Sequence, residues 1–187
     1  VHRTITDADL MHAHRTALTC ITLSLLAWAG PAPASDQLPL KPQRQITFST
    51  DEGTWISLDV SPDGKTVVFD LLGQLYTLPI GGGQATPITH GMAFNSQPRF
   101  SPDGKQITFI SDAQGAENVW VADVNGGNAR QVSQDRKAEF ASPIWLEDGR
   151  RILVSRRGTA GFTSTFELYQ YSVDGGTGVR ITKGSDG

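Results

Sequence analysis

Four histidines, one cysteine and a few carboxylates are the residues of this 187-residue chain that could do chemistry. His12-Ala13-His14 has a spacing with which two imidazoles can hold one metal ion. The pair sits just ahead of Arg15 and the apolar run Ala17–Ala29, the layout of an export leader, so it is assigned to the leader. His2 lies further upstream, which leaves His90 alone before Gly91. One imidazole builds neither a zinc site nor a catalytic triad. Cys20 falls inside the apolar run, so the exported chain is expected to have no disulfide, thiolate metal site or cysteine nucleophile. No Gly-x-Ser-x-Gly elbow occurs. Gly81-Gly82-Gly83 lacks the Gly-Lys-Ser/Thr of a phosphate loop, and Asp123-Val124-Asn125-Gly126 has its glycine two residues too early for a calcium loop. Asp51-Glu52, Asp135 and Glu139 remain, all in connecting segments, where acidic residues are usually solvated. The expectation is no catalytic residue, no metal and no cofactor.

The leader sets the compartment. Ala32-Pro33-Ala34 matches a small-x-small cleavage site, so cleavage is expected after Ala34 and the product is expected to be periplasmic or secreted. The apolar run has 13 residues, against roughly 20 needed to cross a bilayer, so no stable membrane anchor is expected. Residues 1–10 carry Asp7 and Asp9, which suit a leader badly; they read as an over-called start, with Met11 as the first residue. Residues 35–43 read as a linker. Beyond Ala34 the net charge is −3, spread evenly, and this excludes the basic footprint of a nucleic-acid binder. Arg150-Arg151 and Arg156-Arg157 form the densest basic patch, read as a solvated edge that discourages strand pairing.

The elements around these residues repeat. Ser-Pro-Asp-Gly-Lys occurs at Ser61–Lys65 and again at Ser101–Lys105, with a worn copy at Leu146–Arg150. After each come an apolar run (Val67–Phe69, Ile107–Ile110, Ile152–Val154) and a longer mixed run (Leu75–Ile80, Val119–Val124, Leu168–Val173). A double glycine follows, then a close in Ile/Val-Thr/Ser. The double glycines begin at Gly82, Gly126 and Gly175, 44 and then 49 residues apart. Proline presets the first corner of a tight turn and glycine accepts positive φ, so Ser-Pro-Asp-Gly reads as a reversal between strands. Val119 and Val121 alternate as in a half-buried strand, and Asn125-Gly126 is a strong hairpin signal. No helical period competes. A period in this range built of short strands and turns encodes propeller blades of four strands each. The fold class is therefore all-β: a partial propeller over residues 44–187, with blades at about 53–89, 95–133 and 140–182. Arg44–Phe48 resembles the closing segments and reads as an N-terminal closing strand. Three blades fall short of the four to eight of a closed ring, so the chain is expected to be the N-terminal piece of a longer protein.

Across Arg44–Thr182 the units resemble TolB-type propeller repeats, on the Ser-Pro-Asp-Gly-Lys turns, Val119-Trp120-Val121 and the glycine pairs. Thr50–Trp55, Phe69–Ile80, Gly91–Phe100 and Glu139–Trp145 are similar to the propeller ahead of a metal-dependent amidohydrolase barrel. The resemblance implies a non-catalytic scaffold, gate or binding segment of an exported amidohydrolase, whose barrel and metal ligands are not in this sequence. Two alternatives are a TolB-like envelope binding protein and the propeller of an exported prolyl-oligopeptidase-like serine peptidase. The expected partner is a downstream catalytic domain or an envelope protein, with self-association through open blade edges.

Overall fold

The computed structural model describes residues 48–158 and 165–182, all within the compact unit Asp36–Gly187. The leader, its cleavage point, the linker and Arg44–Thr47 of the expected closing strand lie outside the described residues. Phe48, the last residue of that strand, is described; it is exposed and belongs to no strand.

Among the described residues, twelve strands form three four-stranded sheets. Blade 1 contains β1 (Leu58–Val60), β2 (Thr66–Leu71), β3 (Gln74–Pro79) and β4 (Thr86–Pro87). Blade 2 contains β5 (Asn95–Phe100), β6 (Gln106–Ser111), β7 (Asn118–Asp123) and β8 (Arg130–Gln131). Blade 3 contains β9 (Ala138–Trp145), β10 (Arg151–Gly158), β11 (Glu167–Ser172) and β12 (Val179–Arg180). Within each blade the strands pair antiparallel in chain order, and no described residue is helical. The fold is an all-β, partial propeller.

The repeated pentapeptide makes the first reversal of blades 1 and 2 by one set of bonds. Ser101 Oγ donates to Asp103 Oδ1 at 2.7 Å and accepts Gln106 N–H at 2.9 Å. Ser61 does the same with Asp63 and Thr66. Gly64 and Gly104 hold φ near +70°, a region open to glycine. The hydroxyl bond holds the Asp63 and Asp103 carboxyls below the usual range. Leu146 in the third copy has no hydroxyl. There Asp148 Oδ1 accepts the Arg150 and Arg151 amides, and its Oδ2 accepts Arg151 Nε at 2.5 Å.

Two apolar clusters lie between blades. Val68, Leu75 and Ile88 of blade 1 pack with Ile107, Phe109, Trp120 and Ala122 of blade 2. Ile110, Val119, Val121 and Val132 of blade 2 pack with Phe140, Ile152, Val154 and Tyr171 of blade 3. The half-buried alternation expected of β7 is therefore not observed. Val119 through Ala122 are all buried, because the middle blade is covered on both faces.

Polar stitches run beside these clusters along the innermost strands β1, β5 and β9. Asp70, itself buried, accepts Ser57 N–H on Oδ1 and Gln97 N–H on Oδ2 at 2.7 Å. Asp59 Oδ2 accepts Phe100 N–H, and Gln97 Oε1 accepts Ser142 N–H. Arg99 Nη1 donates to Leu58 O, Trp145 Nε1 to Arg99 O, and Asn95 N–H to Gly73 O. Gln97 and Ser142 hold φ of 57° and 54°, each just before a buried proline (Pro98, Pro143) and at a break in strand register. These are β-bulges, which bend the innermost strand and turn its amides toward the preceding blade.

Glycine at the second hairpin serves the junction as well as the turn. A Cβ on Gly126, at φ +83°, would lie 1.8 Å from the Ile88 carbonyl oxygen. Blade 2 can approach blade 1 only because that atom is missing.

Candidate functional site

The charged side chains that the structure gathers lie at the mouth of the junction between blades 2 and 3. The construction begins at the close of blade 2. Ser133 Oγ accepts Val119 N–H at 2.9 Å and donates to Asn118 Oδ1 at 2.8 Å. Thr89 Oγ1 accepts Leu75 N–H in blade 1, and Thr182 Oγ1 accepts Leu168 N–H in blade 3. The hydroxyl at the end of each repeat thus caps the third strand. This explains why every unit closes in Ile/Val-Thr/Ser.

Asn118, buried, then fixes the loop that leads to blade 3. Its Nδ2 donates to Asp135 O at 2.8 Å, and its Oδ1 accepts Asp135 N–H at 2.9 Å. Asp135 Oδ1 accepts the amides of Lys137 and Ala138, which turns the chain into β9. Its Oδ2 is left to face β10, where it receives the Arg156 guanidinium. One position on, Glu139 of β9 receives Arg157. Each arginine also lies over an aromatic ring. Arg156 Cζ is 4.7 Å from the centre of Tyr169, and Arg157 Cζ is 4.7 Å from that of Phe166.

Gln134, Asp135, Arg156, Tyr169, Tyr171 and the 176–178 loop line an open cleft of about 280 Å³. The Arg156 guanidinium holds the Asp135 carboxyl below the usual carboxylate range. Burial pushes the Tyr171 hydroxyl up, and the Phe140 ring meets the Tyr171 ring edge-on with centroids 6.2 Å apart. Gly178 admits that tyrosine, because a Cβ there would lie 2.3 Å from Tyr171 Cζ.

The arrangement can hold charge and orient an aromatic wall. Its carboxylates are engaged by arginines and backbone amides. Among the described residues, no group of three or more His, Cys, Asp or Glu could hold a metal ion. His90, Asp51 and Glu52 are exposed and stand outside the assembly.

Two readings from the sequence need correction. Arg156-Arg157 is not a solvated edge, and Asp135 and Glu139 are not simply solvated acids. The antiparallel register of β9 and β10 sets Arg157 directly opposite Glu139, and the Asn118-anchored loop aims Asp135 at Arg156. The pairs are separated by 21 and 18 residues in sequence, so neither shows as a local motif. Arg151 is likewise engaged, with Asp148. Tyr169, Tyr171 and Gly178 were missed; the aromatic in the third-strand run is a signal that could have found the tyrosines.

Comparison with known proteins places the fold. A family profile described as the Tricorn protease N-terminal beta propeller domain matches residues 56–186. The chain belongs to that family. Among relatives, it is 38% identical over 82 residues to "Uncharacterized peptidase YuxL" of Bacillus subtilis, covering 43% of this chain and 12% of that protein. It is 29% identical over 126 residues to "Tricorn protease homolog 1" of Streptomyces coelicolor, covering 67% of this chain and 12% of that protein. The chain therefore spans a small part of the length of these relatives. TolB from Acinetobacter baumannii superposes with a TM-score of 0.57 at 21% identity, over 70% of this chain and 33% of that one. Puromycin hydrolase does so with 0.56 at 21% identity, over 72% and 23%. The TolB-type resemblance of the repeats is thus matched by fold. No helix among the described residues is long and apolar enough to cross a membrane.

Proposed function

We propose that this Tricorn-type propeller segment is non-catalytic and serves an exported hydrolase, presenting or filtering substrate for a catalytic domain outside this sequence. The observation that supports this most is the state of the Asp135–Arg156 and Glu139–Arg157 assembly. Its charges neutralise one another, Asp135–Arg156 tying the Asn118-anchored loop to blade 3 and Glu139–Arg157 joining two strands of that blade, instead of converging on a point where a substrate atom could react. The leader-like Met11–Ala34 supports export. The names of the relatives, a peptidase and a tricorn protease homologue, favour a polypeptide substrate and a peptidase domain. The amidohydrolase reading rests on the stretches Thr50–Trp55, Phe69–Ile80, Gly91–Phe100 and Glu139–Trp145 and is the second candidate.

The test has two parts. Purified chain, with chelator present, is assayed against ester, amide and peptide substrates; turnover above a boiled control would overturn the non-catalytic role. Sequencing the locus beyond the Gly187 codon separates the parents. A Gly-x-Ser-x-Gly elbow there supports the peptidase, whereas His-x-His in a barrel pattern supports the amidohydrolase. A reading frame with neither refutes both.

A further inference from the structure

The glycine hairpin of blade 2 also carries a reactive dipeptide. Of the chain's four asparagines only Asn125 precedes a glycine, and Asn125 is exposed. An asparagine in that place is thermolabile, because the glycine nitrogen after it has no side chain to hinder attack on the carboxamide. The other three are engaged. Asn95 and Asn118 are buried and hold neighbouring backbone carbonyls, and Asn128 Nδ2 donates to Asp123 Oδ2 at 2.6 Å.

The reaction needs no reagent but water. Gly126 N gives its proton to solvent and bonds to Asn125 Cγ; the Cγ–Nδ2 bond breaks, and Nδ2 leaves as ammonia, taking a proton back. Water then opens the succinimide ring at either carbonyl, giving aspartate or isoaspartate. The folded hairpin opposes the first step. Gly126 N–H donates to Asp123 O at 2.8 Å, so the proton of the nucleophile is held. Asn125 Oδ1 accepts Gly127 N–H at 2.9 Å, so the carboxamide is pinned toward residue 127. That bond also polarises the carboxamide, which favours attack. The ring closes, however, only if the Asn125–Gly126 peptide swings beside the Asn125 side chain. Gly126 lies against the Ile88 carbonyl of blade 1, where a Cβ would come within 1.8 Å, and close-packed backbone has no slack for such a swing. The restraint outweighs the polarisation.

We propose that Asn125 is a guarded deamidation site, held unreactive by the junction of blades 1 and 2 and released when that junction opens. Local opening costs less than global unfolding, so the reaction records openings of this one junction. Its products differ in effect. Isoaspartate threads the main chain through the side-chain carbon and adds an atom to a turn with no room on the Ile88 side. Aspartate keeps the main chain and places a second carboxylate near Asp123, whose oxygens already accept Gln106 Nε2 and Asn128 Nδ2. Opening therefore leads to isoaspartate, and isoaspartate keeps the junction open.

Peptide mapping by mass spectrometry on the full chain, kept in mildly alkaline buffer, reads conversion at Asn125. A free peptide of residues 119–130 sets the unguarded rate. The folded chain is expected to convert at least about tenfold more slowly than the peptide. Ile88→Val and Ile88→Ala leave the hairpin's own residues in place, thin the junction, and should raise the rate in that order. Sub-denaturing urea should bring the wild-type rate toward that of the peptide in the same urea, and this decides even if Ile88→Ala does not fold. A folded chain as fast as the peptide overturns the guard. A rate indifferent to urea, or to the Ile88 variants in folded form, overturns its link to the junction. Chain carrying isoaspartate at 125 should exchange amides in β3 and β6 faster than Asn125→Asp does; equal exchange would overturn the claim that the product holds the junction open.

Discussion

Asp135 joins two kinds of order: its Oδ1 sets a turn and its Oδ2 holds a cation on the next blade. Its carboxyl lies below the ordinary value of about 3.9 when folded. Its ionised form therefore contributes stability in full above the unfolded value, and the contribution is lost as pH falls through the folded value. Asp135→Asn should lower the melting temperature near neutrality by an amount equivalent to about 1–3 kcal/mol. The gap between variant and wild type should close as pH drops below about 4; thermal melts across pH would show a constant gap if Asp135 acts only by shape. Sequence showed the four charged residues of this assembly but not their pairing. A charge's partner is set by strand register, and register here depends on the bulge at Ser142-Pro143, which no local pattern announced.

At the level of single elements the repeat was legible, since turn chemistry is written in consecutive residues. The Ser-Pro-Asp-Gly turns, the glycine hairpins and the strand order all follow from it. Hidden from it was what those residues do beyond their own turn. Ser101→Ala removes the only acceptor shown for Gln106 N–H and is expected to cost about 1–3 kcal/mol in urea unfolding. Replacing Leu146 by alanine should produce no comparable polar loss, because Asp148 already holds both amides there. Glycines separate in the same way. Gly64→Ala meets no neighbour, so it should cost about 1–2 kcal/mol for the left-handed backbone alone. Gly126→Ala adds a collision with the Ile88 carbonyl. It should cost clearly more and loosen blade 1 from blade 2, read as faster amide exchange in β3 and β6. Equal costs for the two glycines would contradict the close approach.

Across the whole molecule, the class of fold was readable from the period, whereas the depth at which equivalent positions are buried appears only when they are compared in space. Leu168 and Val119 hold equivalent places in the repeat, yet among the described residues one is half-buried and the other fully buried, between blades 2 and 3. The stitches between blades have a further property. Phe100 N–H, Gln97 N–H, Ser142 N–H, Asn95 N–H, Arg99 Nη1 and Trp145 Nε1 are all donors on a later blade, and each acceptor is on the blade before it. A chain made from its N-terminus therefore releases each acceptor first. The order in which the chain is made is thus also the order in which the acceptors of its blade junctions become available.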